Sequence, residues 1–184
     1  TFALLALYLL EIRGERGALI KSLTSTSMVD RLGELYRVPV HEVPVGFKYI
    51  GPLMIQEHAL MGGEESGGFG FRGHIPERDG ILSGLLVLEL MARTGKRPSE
   101  LIEHLYSIVG PHSFDRRDVT FQQQDRVRLE NRIVSLEIDS IAGLPVNSVD
   151  IRDGKRFRLN NGWLLFRFSG TEPLLRLYTE AESP

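Results

Sequence analysis

The chain has 184 residues, 42% of them hydrophobic and 25% charged, the composition of one large globular domain or two small ones. Its 22 basic and 24 acidic residues leave a net charge of −2, so no broad nucleic-acid surface is expected and an anionic ligand needs a local cluster of donors. Cysteine is absent, which excludes disulfides and thiolate metal sites and fits a cytoplasmic setting.

The first residues, Thr1 to Leu10, are almost wholly apolar. The run is about half the ~20 residues that span a bilayer, and Glu11 and Arg13 follow at once, so a buried helix over 2–12, stopped at Gly14, is expected and no membrane segment. The absence of an initiator methionine suggests a piece of a longer or processed protein. Residues 18–23 read as a buried strand. Ser25 or Thr26 can cap a following helix that carries Met28, Val29, Leu32, Leu35 and Tyr36 at helical spacing. Val38 to Val45 returns to strand character, and a second helix follows Gly46. Strands alternating with helices imply an α/β layer with parallel pairing.

Ile81 to Ala92 is apolar nearly all round, which predicts a deeply buried helix ended by Gly95. Pro98 suits the first turn of the next helix, with Leu101, Ile102, Leu105, Tyr106 and Val109 as its apolar stripe. The segment 110–118 combines glycine, proline and charge with little periodicity, and marks the boundary between a domain over 1–112 and another over 119–184. Beyond it, a helix is expected between about 123 and 142, carrying Val127, Ile133, Val134 and Ile138. Asp153-Gly154 and Asn161-Gly162 then signal two hairpins, and Phe157 and Leu159 alternate with Arg156 and Arg158 as in a half-buried strand. The second unit therefore reads as a smaller α+β fold, an antiparallel meander with a helix on one face.

Two loops carry chemistry. In residues 62–73, six of twelve positions are glycine, around Glu64, Glu65 and Ser66. Such a backbone reaches positive φ and approaches a ligand closely, and a carboxylate beside a hydroxyl can bond adjacent sugar hydroxyls. The alternative is a solvated turn with charged tips. The second loop runs Arg167-Phe168-Ser169-Gly170-Thr171-Glu172-Pro173, with Arg176 just beyond. Arginine grips phosphate through paired charge-assisted bonds, hydroxyls add donors, and glycine lets amides form an anion-accepting concavity. The competing reading is a tight turn whose arginine pairs with Glu172.

The stretch GGEESGG resembles the domain 3 sugar loop of the α-D-phosphohexomutases, and RFSGTEPLLRLYTEA resembles their domain 4 phosphate loop. SMVD at 27–30 and GFKYIG at 46–51 match in the expected order, so the resemblance covers essentially the whole chain. The GEESGG form is closest to phosphoglucomutase and phosphomannomutase members. The resemblance implies the last two of four domains: an α/β domain 3 and a smaller domain 4 resembling the TATA-binding protein. It places Glu64 and Ser66 against sugar hydroxyls, Arg167, Ser169, Gly170 and Thr171 around the non-transferring phosphate, and Lys48 near the reacting centre. It also implies a hexose phosphate substrate, Mg2+, a glucose 1,6-bisphosphate-type activator, and N-terminal catalytic and metal-binding domains of the same protein. The family's phosphoserine motif and its D-G-D-x-D-R metal loop do not occur in these residues, so no metal site is expected in them and the chain alone is expected to be inactive. Gly68 stands where some members have histidine, which raises His58 and His74 as candidates for proton transfer. Two other readings fit the same residues: an amino-sugar mutase of the phosphoglucosamine type, and a non-catalytic sugar-phosphate-binding module.

Overall fold

The computed structural model describes residues 1–183, in two compact units, Thr1–Pro111 and a second that begins at His112. The first unit runs α1 (Phe2–Leu7), β1 (Leu19–Ser22), α2 (Met28–Tyr36), β2 (Val40–Val43), α3 (Phe47–Gln56), β3 (Met61–Gly63), β4 (Phe69–Phe71), α4 (Gly80–Thr94) and α5 (Pro98–Val109). Its sheet has the order β2-β1-β3-β4; β1 lies parallel to β2 and β3, and β4 returns antiparallel to β3. All of β1 is buried, as a central strand covered on both faces must be. Leu19 joins the core made by α1, α2, α4 and α5, while Ile20 joins Phe47, Ile50 and Met54 of α3 on the opposite face. The expected α/β layer is present, with a mixed sheet.

Local chemistry explains the ends of these elements. Helix α1 continues as a π-helical turn over Tyr8–Ile12, closed by the Arg13 amide on the Tyr8 carbonyl at 3.0 Å. Neither residue expected to cap α2 is its N-cap: Ser27 holds that position without a side-chain bond, Thr26 Oγ1 accepts the Met28 amide at 3.1 Å from one residue earlier, and the Ser25 hydroxyl is buried against Ser22 at 2.9 Å. Asp79 caps α4 by accepting the Leu82 amide at 2.8 Å, and Glu100 accepts the Arg97 amide at 2.8 Å ahead of Pro98. Two expectations need correction here. On α4 only Ser83, Leu86 and Leu90 are buried, so the helix is covered on one side and not all round. On α5 the buried stripe is Leu101, Leu105 and Val109, with Ile102 exposed, because its i, i+4, i+8 row faces the core.

The strands of the second unit are β5 (Ser113–Thr120), β6 (Ser140–Ile141), β7 (Leu144–Pro145), β8 (Ser148–Asp150), β9 (Lys155–Leu159), β10 (Gly162–Phe168) and β11 (Leu174–Ala181). Five of them form an antiparallel sheet in the order β5-β11-β10-β9-β8, and β6 pairs with β7 in a short ribbon. Residues 113–118, assigned from the sequence to the inter-domain connection, belong to edge strand β5, in register with β11 from Ser113↔Ala181 to Thr120↔Leu174. Its charges hid it, and they suit an exposed edge, where they discourage pairing with another chain. The helix expected to about 142 is shorter: α6 spans Arg126–Val134, and the chain turns at Ala142-Gly143 into the ribbon. Both hairpin signals hold. Gly154, at φ +95°, turns β8 into β9, where a Cβ would meet the Phe166 carbonyl oxygen at 2.3 Å.

Strand register places Phe157, Leu164, Phe166, Phe168, Leu175 and Leu177 on one face, with Phe157 and Phe166 edge to face at 6.2 Å. The other face carries Arg156, Arg158, Trp163, Arg167, Arg176 and Tyr178. Arg156, expected on a solvated face, is only 2% exposed; its Nη2 donates to Asp150 Oδ2 at 2.8 Å and its guanidinium lies over Trp163. A buried arginine is tolerated when paired in this way. Bonds from Arg152, reinforced by Arg156, hold the Asp150 carboxyl well below the usual carboxylate range.

Candidate functional site

The glycine-rich segment is a tight hairpin: β3 and β4 pair through Met61↔Phe71, Gly62↔Gly70 and Gly63↔Phe69, leaving 64–68 as the turn. The Glu64 amide donates to the Gly68 carbonyl at 3.0 Å, the Gly67 amide to the Glu64 carbonyl at 3.1 Å, and Gly67 sits at φ +94°. The two adjacent carboxylates are sorted to different places. Glu65 turns toward the β1–α2 connection, where Thr24 Oγ1 donates to its Oε2 at 2.5 Å and Ser22 Oγ at 3.5 Å. Ser22, Thr24 and Ser25 are themselves buried and mutually bonded at 2.9–3.0 Å. Glu64 turns the other way, into an open cleft of about 620 Å³ that Gly46, Phe47, Lys48, Glu77 and Arg78 also line.

In that cleft Glu64 is 5% exposed. Burial, and then the neighbouring Glu65 charge, push its carboxyl above the ordinary value; the Arg78 guanidinium at 3.8 Å and the Gly46 amide oppose them. Burial penalises the ionised form of this carboxyl, and a carboxylate in a cleft can accept hydrogen bonds from a polyhydroxylated ligand. Lys48 is exposed on the first turn of α3, its Nζ 4.9 Å from the Tyr49 ring, so the structure brings Lys48 and Glu64 to one cleft. Ser66 lies exposed at the hairpin tip and does not line it. The sequence reading missed Arg78, whose guanidinium lies over Phe47 at 5.6 Å; it follows Glu64 by fourteen residues in a loop without periodicity, and no local pattern marks it. His74 bonds the α4 cap Asp79 at 2.8 Å and His58 follows the end of α3, and neither lines the cleft. The SMVD match has a structural use: Asp30 pairs with the buried Lys21, which also faces Glu42 at 3.7 Å.

The second loop joins β10 to β11. Ser169 is buried, and its Oγ accepts the Thr171 and Glu172 amides at 3.4 and 3.3 Å, which fixes the turn while Gly170 and Thr171 remain exposed. Arg167 and Arg176 are register partners on adjacent strands. Arg167 Nε donates to Asp153 at 3.0 Å, and Arg176 pairs with Glu172 at 3.4 Å, so the pairing weighed for this loop involves Arg176. Arg126 is a third cation that the sequence reading passed over: its Nη1 donates to the Ser169 carbonyl at 3.1 Å and its guanidinium lies over Phe168. It opens α6, where the helix dipole disfavours a cation. That mismatch was the available signal. Among the described residues, no group of three His, Asp or Glu side chains is placed to hold a metal ion, and no helix is long and apolar enough to cross a membrane.

Comparison with known proteins shows the family of both units. Residues 1–109 match the family description "Phosphoglucomutase/phosphomannomutase, alpha/beta/alpha domain III", and residues 125–184 match "Phosphoglucomutase/phosphomannomutase, C-terminal domain". A phosphoglucomutase/phosphomannomutase of Thermococcus kodakarensis is 28% identical over 100% of this chain and 38% of its own length. A phosphoglucosamine mutase of Methanocaldococcus jannaschii is 30% identical over 96% of this chain and 37% of its own. The crystal structure of a Thermus thermophilus protein assigned as a phosphomannomutase superposes with a TM-score of 0.80 at 38% identity, covering 100% of this chain and 36% of that one. More distant fold neighbours from Aspergillus fumigatus were solved with glucose 1,6-bisphosphate and with magnesium. The chain thus spans little more than a third of the length of these relatives, and it belongs to the α-D-phosphohexomutase family, matching that family's third and fourth domains.

Proposed function

We propose that the chain is the substrate-holding part of a cytoplasmic mutase that interconverts hexose 1-phosphates and hexose 6-phosphates. The observation that carries this reading is the buried Glu64 carboxylate, set in a cleft with the cations Lys48 and Arg78. Glu64, with Ser66 at the tip, takes sugar hydroxyls; Arg167, Ser169, Gly170 and Thr171 take the phosphate that is not transferred, and Arg126 braces their loop. In the assigned reaction a phosphoserine passes its phosphoryl group to the hexose 1-phosphate. The resulting bisphosphate reorients and returns its other phosphoryl group to serine, leaving the 6-phosphate. Recognition in two opposite poses calls for a handle on hydroxyls that both poses share, which suits one carboxylate-and-hydroxyl turn together with one phosphate grip. Positioning of this kind is a large part of phosphoryl-transfer catalysis.

We assign the nucleophile, magnesium and the glucose 1,6-bisphosphate-type activator to a protein longer than these residues; among the described residues no His, Asp or Glu cluster fits the metal. The chain alone therefore binds without turnover. Amide shift titration tests the binding: hexose 6-phosphate is expected to move the signals of both 64–68 and 169–172, and inorganic phosphate only the latter. Uniform or absent shifts would refute the division of labour. Any turnover in a coupled assay with magnesium and glucose 1,6-bisphosphate, abolished by Arg167→Ala, would refute the inactivity. An amino-sugar substrate is the second reading, favoured by the 30% identical phosphoglucosamine mutase, and a substrate panel on the full-length protein separates the two.

A further inference from the structure

A solvent-facing helix surface normally carries charge, and α4 does not follow that rule. Its outer face is formed by Ile81, Gly84, Leu85, Leu88 and Ala92, which recur at i, i+3, i+4, i+7 and i+11 without a charged residue among them. Ile81 is 81% exposed, Leu85 58% and Leu88 61%. The opposite face, through Leu86 and Leu90, is packed into the core, so the helix is correctly seated and the outer stripe is surplus to that packing. The charges Glu89 and Arg93 sit to one side and pair with each other at 2.8 Å, as at the rim of an interface. Gly84 leaves open space above the backbone, which permits close approach of another element.

The size of the stripe discriminates between occupants. Three large side chains exposed to this degree present on the order of 300–400 Å², near the largest patch an ordinary monomer shows. A stable dimer buries about 800 Å² per partner, twice what this stripe supplies. A contact between domains of one chain needs only about 600–1,500 Å² in total over both sides. Relatives matched over the whole chain are longer, and only 38% of the Thermococcus protein is aligned with it.

We propose that the outer face of α4 is a docking surface for an apolar face of the polypeptide that completes the enzyme, so that α4 becomes buried all round only in the longer protein. The inference rests on the reading of the chain as part of a longer mutase. Hydroxyl-radical footprinting tests it on the 184-residue chain and on the full-length protein. Leu85 and Leu88 should label readily in the chain and be protected at least tenfold in the full-length protein, while Leu86 and Leu90 stay protected in both as an internal check of folding. Equal labelling in the two would overturn the proposal. Protection in the chain alone that disappears on dilution would assign the face to a second copy and overturn it as well. As a second reading, Leu85→Lys should leave the melting midpoint of the chain unchanged and lower that of the full-length protein by several degrees. Mutase assays on the same full-length samples keep the two ideas apart: protection without activity retains the docking surface and rejects the mutase, and activity without protection does the reverse.

Discussion

Removing the Glu65 carboxylate should loosen the sugar hairpin without touching any residue assigned to the ligand. In the structure that carboxylate accepts one short bond, from Thr24 Oγ1 at 2.5 Å, and one marginal bond, from Ser22 Oγ at 3.5 Å. Both donors are buried, so neither recovers water when the acceptor is lost, although each retains a bond inside the hydroxyl cluster. A hydrogen bond to a charged group contributes about 1.5–3 kcal/mol, and only one of the two is well formed, so Glu65→Ala is expected to cost about 2 kcal/mol. For a unit of this size that is roughly 8–9 °C in melting temperature. Glu65→Gln keeps an acceptor and should lose less than half as much. Calorimetry of the chain gives the stability, and titration with hexose 6-phosphate and with inorganic phosphate gives the binding. Sugar-phosphate affinity should fall in Glu65→Ala while inorganic phosphate affinity is unchanged. Equal stability of both variants and the wild type would refute the latch, as would a parallel loss of both ligands.

The remaining predictions concern the ligand-facing groups. Arg167→Lys keeps the charge and loses the planar fork, so phosphate affinity should drop roughly ten- to a hundredfold, the equivalent of about 1.5–3 kcal/mol; Asp153→Asn, which removes the carboxylate now bonded to Arg167, should raise that affinity, and isothermal titration reads both. Glu64→Gln should spare inorganic phosphate and weaken the sugar phosphate. The Glu64 carboxyl is raised above its usual value in the fold, so the folded state holds this proton more tightly than the unfolded chain. The cost of the ionised form is thus fully present at neutral pH and relieved as pH falls through the raised pKa toward 4.5. Glu64→Gln should therefore stabilise the unit at about pH 7–8 and lose that advantage on acidification; a stability difference independent of pH, measured by melting across about pH 4 to 8, contradicts the burial argument.

Most of the architecture was legible because it rests on short-range signals: the 3.6-residue period of α2, the proline that opens α5, the Asp-Gly and Asn-Gly turns, and the two motif loops. Elements whose character is set by their surroundings were not. The charged run 113–118 became a strand only because β11 offers it a register, and Arg156 is buried only because Asp150 and Trp163 receive it. The run 81–92, apolar nearly all round, indicated burial on all sides, a demand that this chain meets on one face. In the candidate site, local sequence pattern does not distinguish Glu64 from Glu65, and the positions of Thr24 and Ser22 separate the latch from the proposed ligand acceptor. Arg78 and Arg126 come to their loops through tertiary packing from fourteen and forty-three residues away in sequence.

The central claim, that this chain holds the substrate of a hexose phosphate mutase, is tested most directly by steady-state kinetics on the full-length protein carrying Glu64→Gln. The wild type should convert hexose 1-phosphate to hexose 6-phosphate, and the variant should lose at least about tenfold in kcat/KM, a loss of one charged hydrogen bond or more, with its phosphate affinity maintained and its melting temperature no lower. No interconversion by the wild type, or undiminished kcat/KM in the variant, would contradict it.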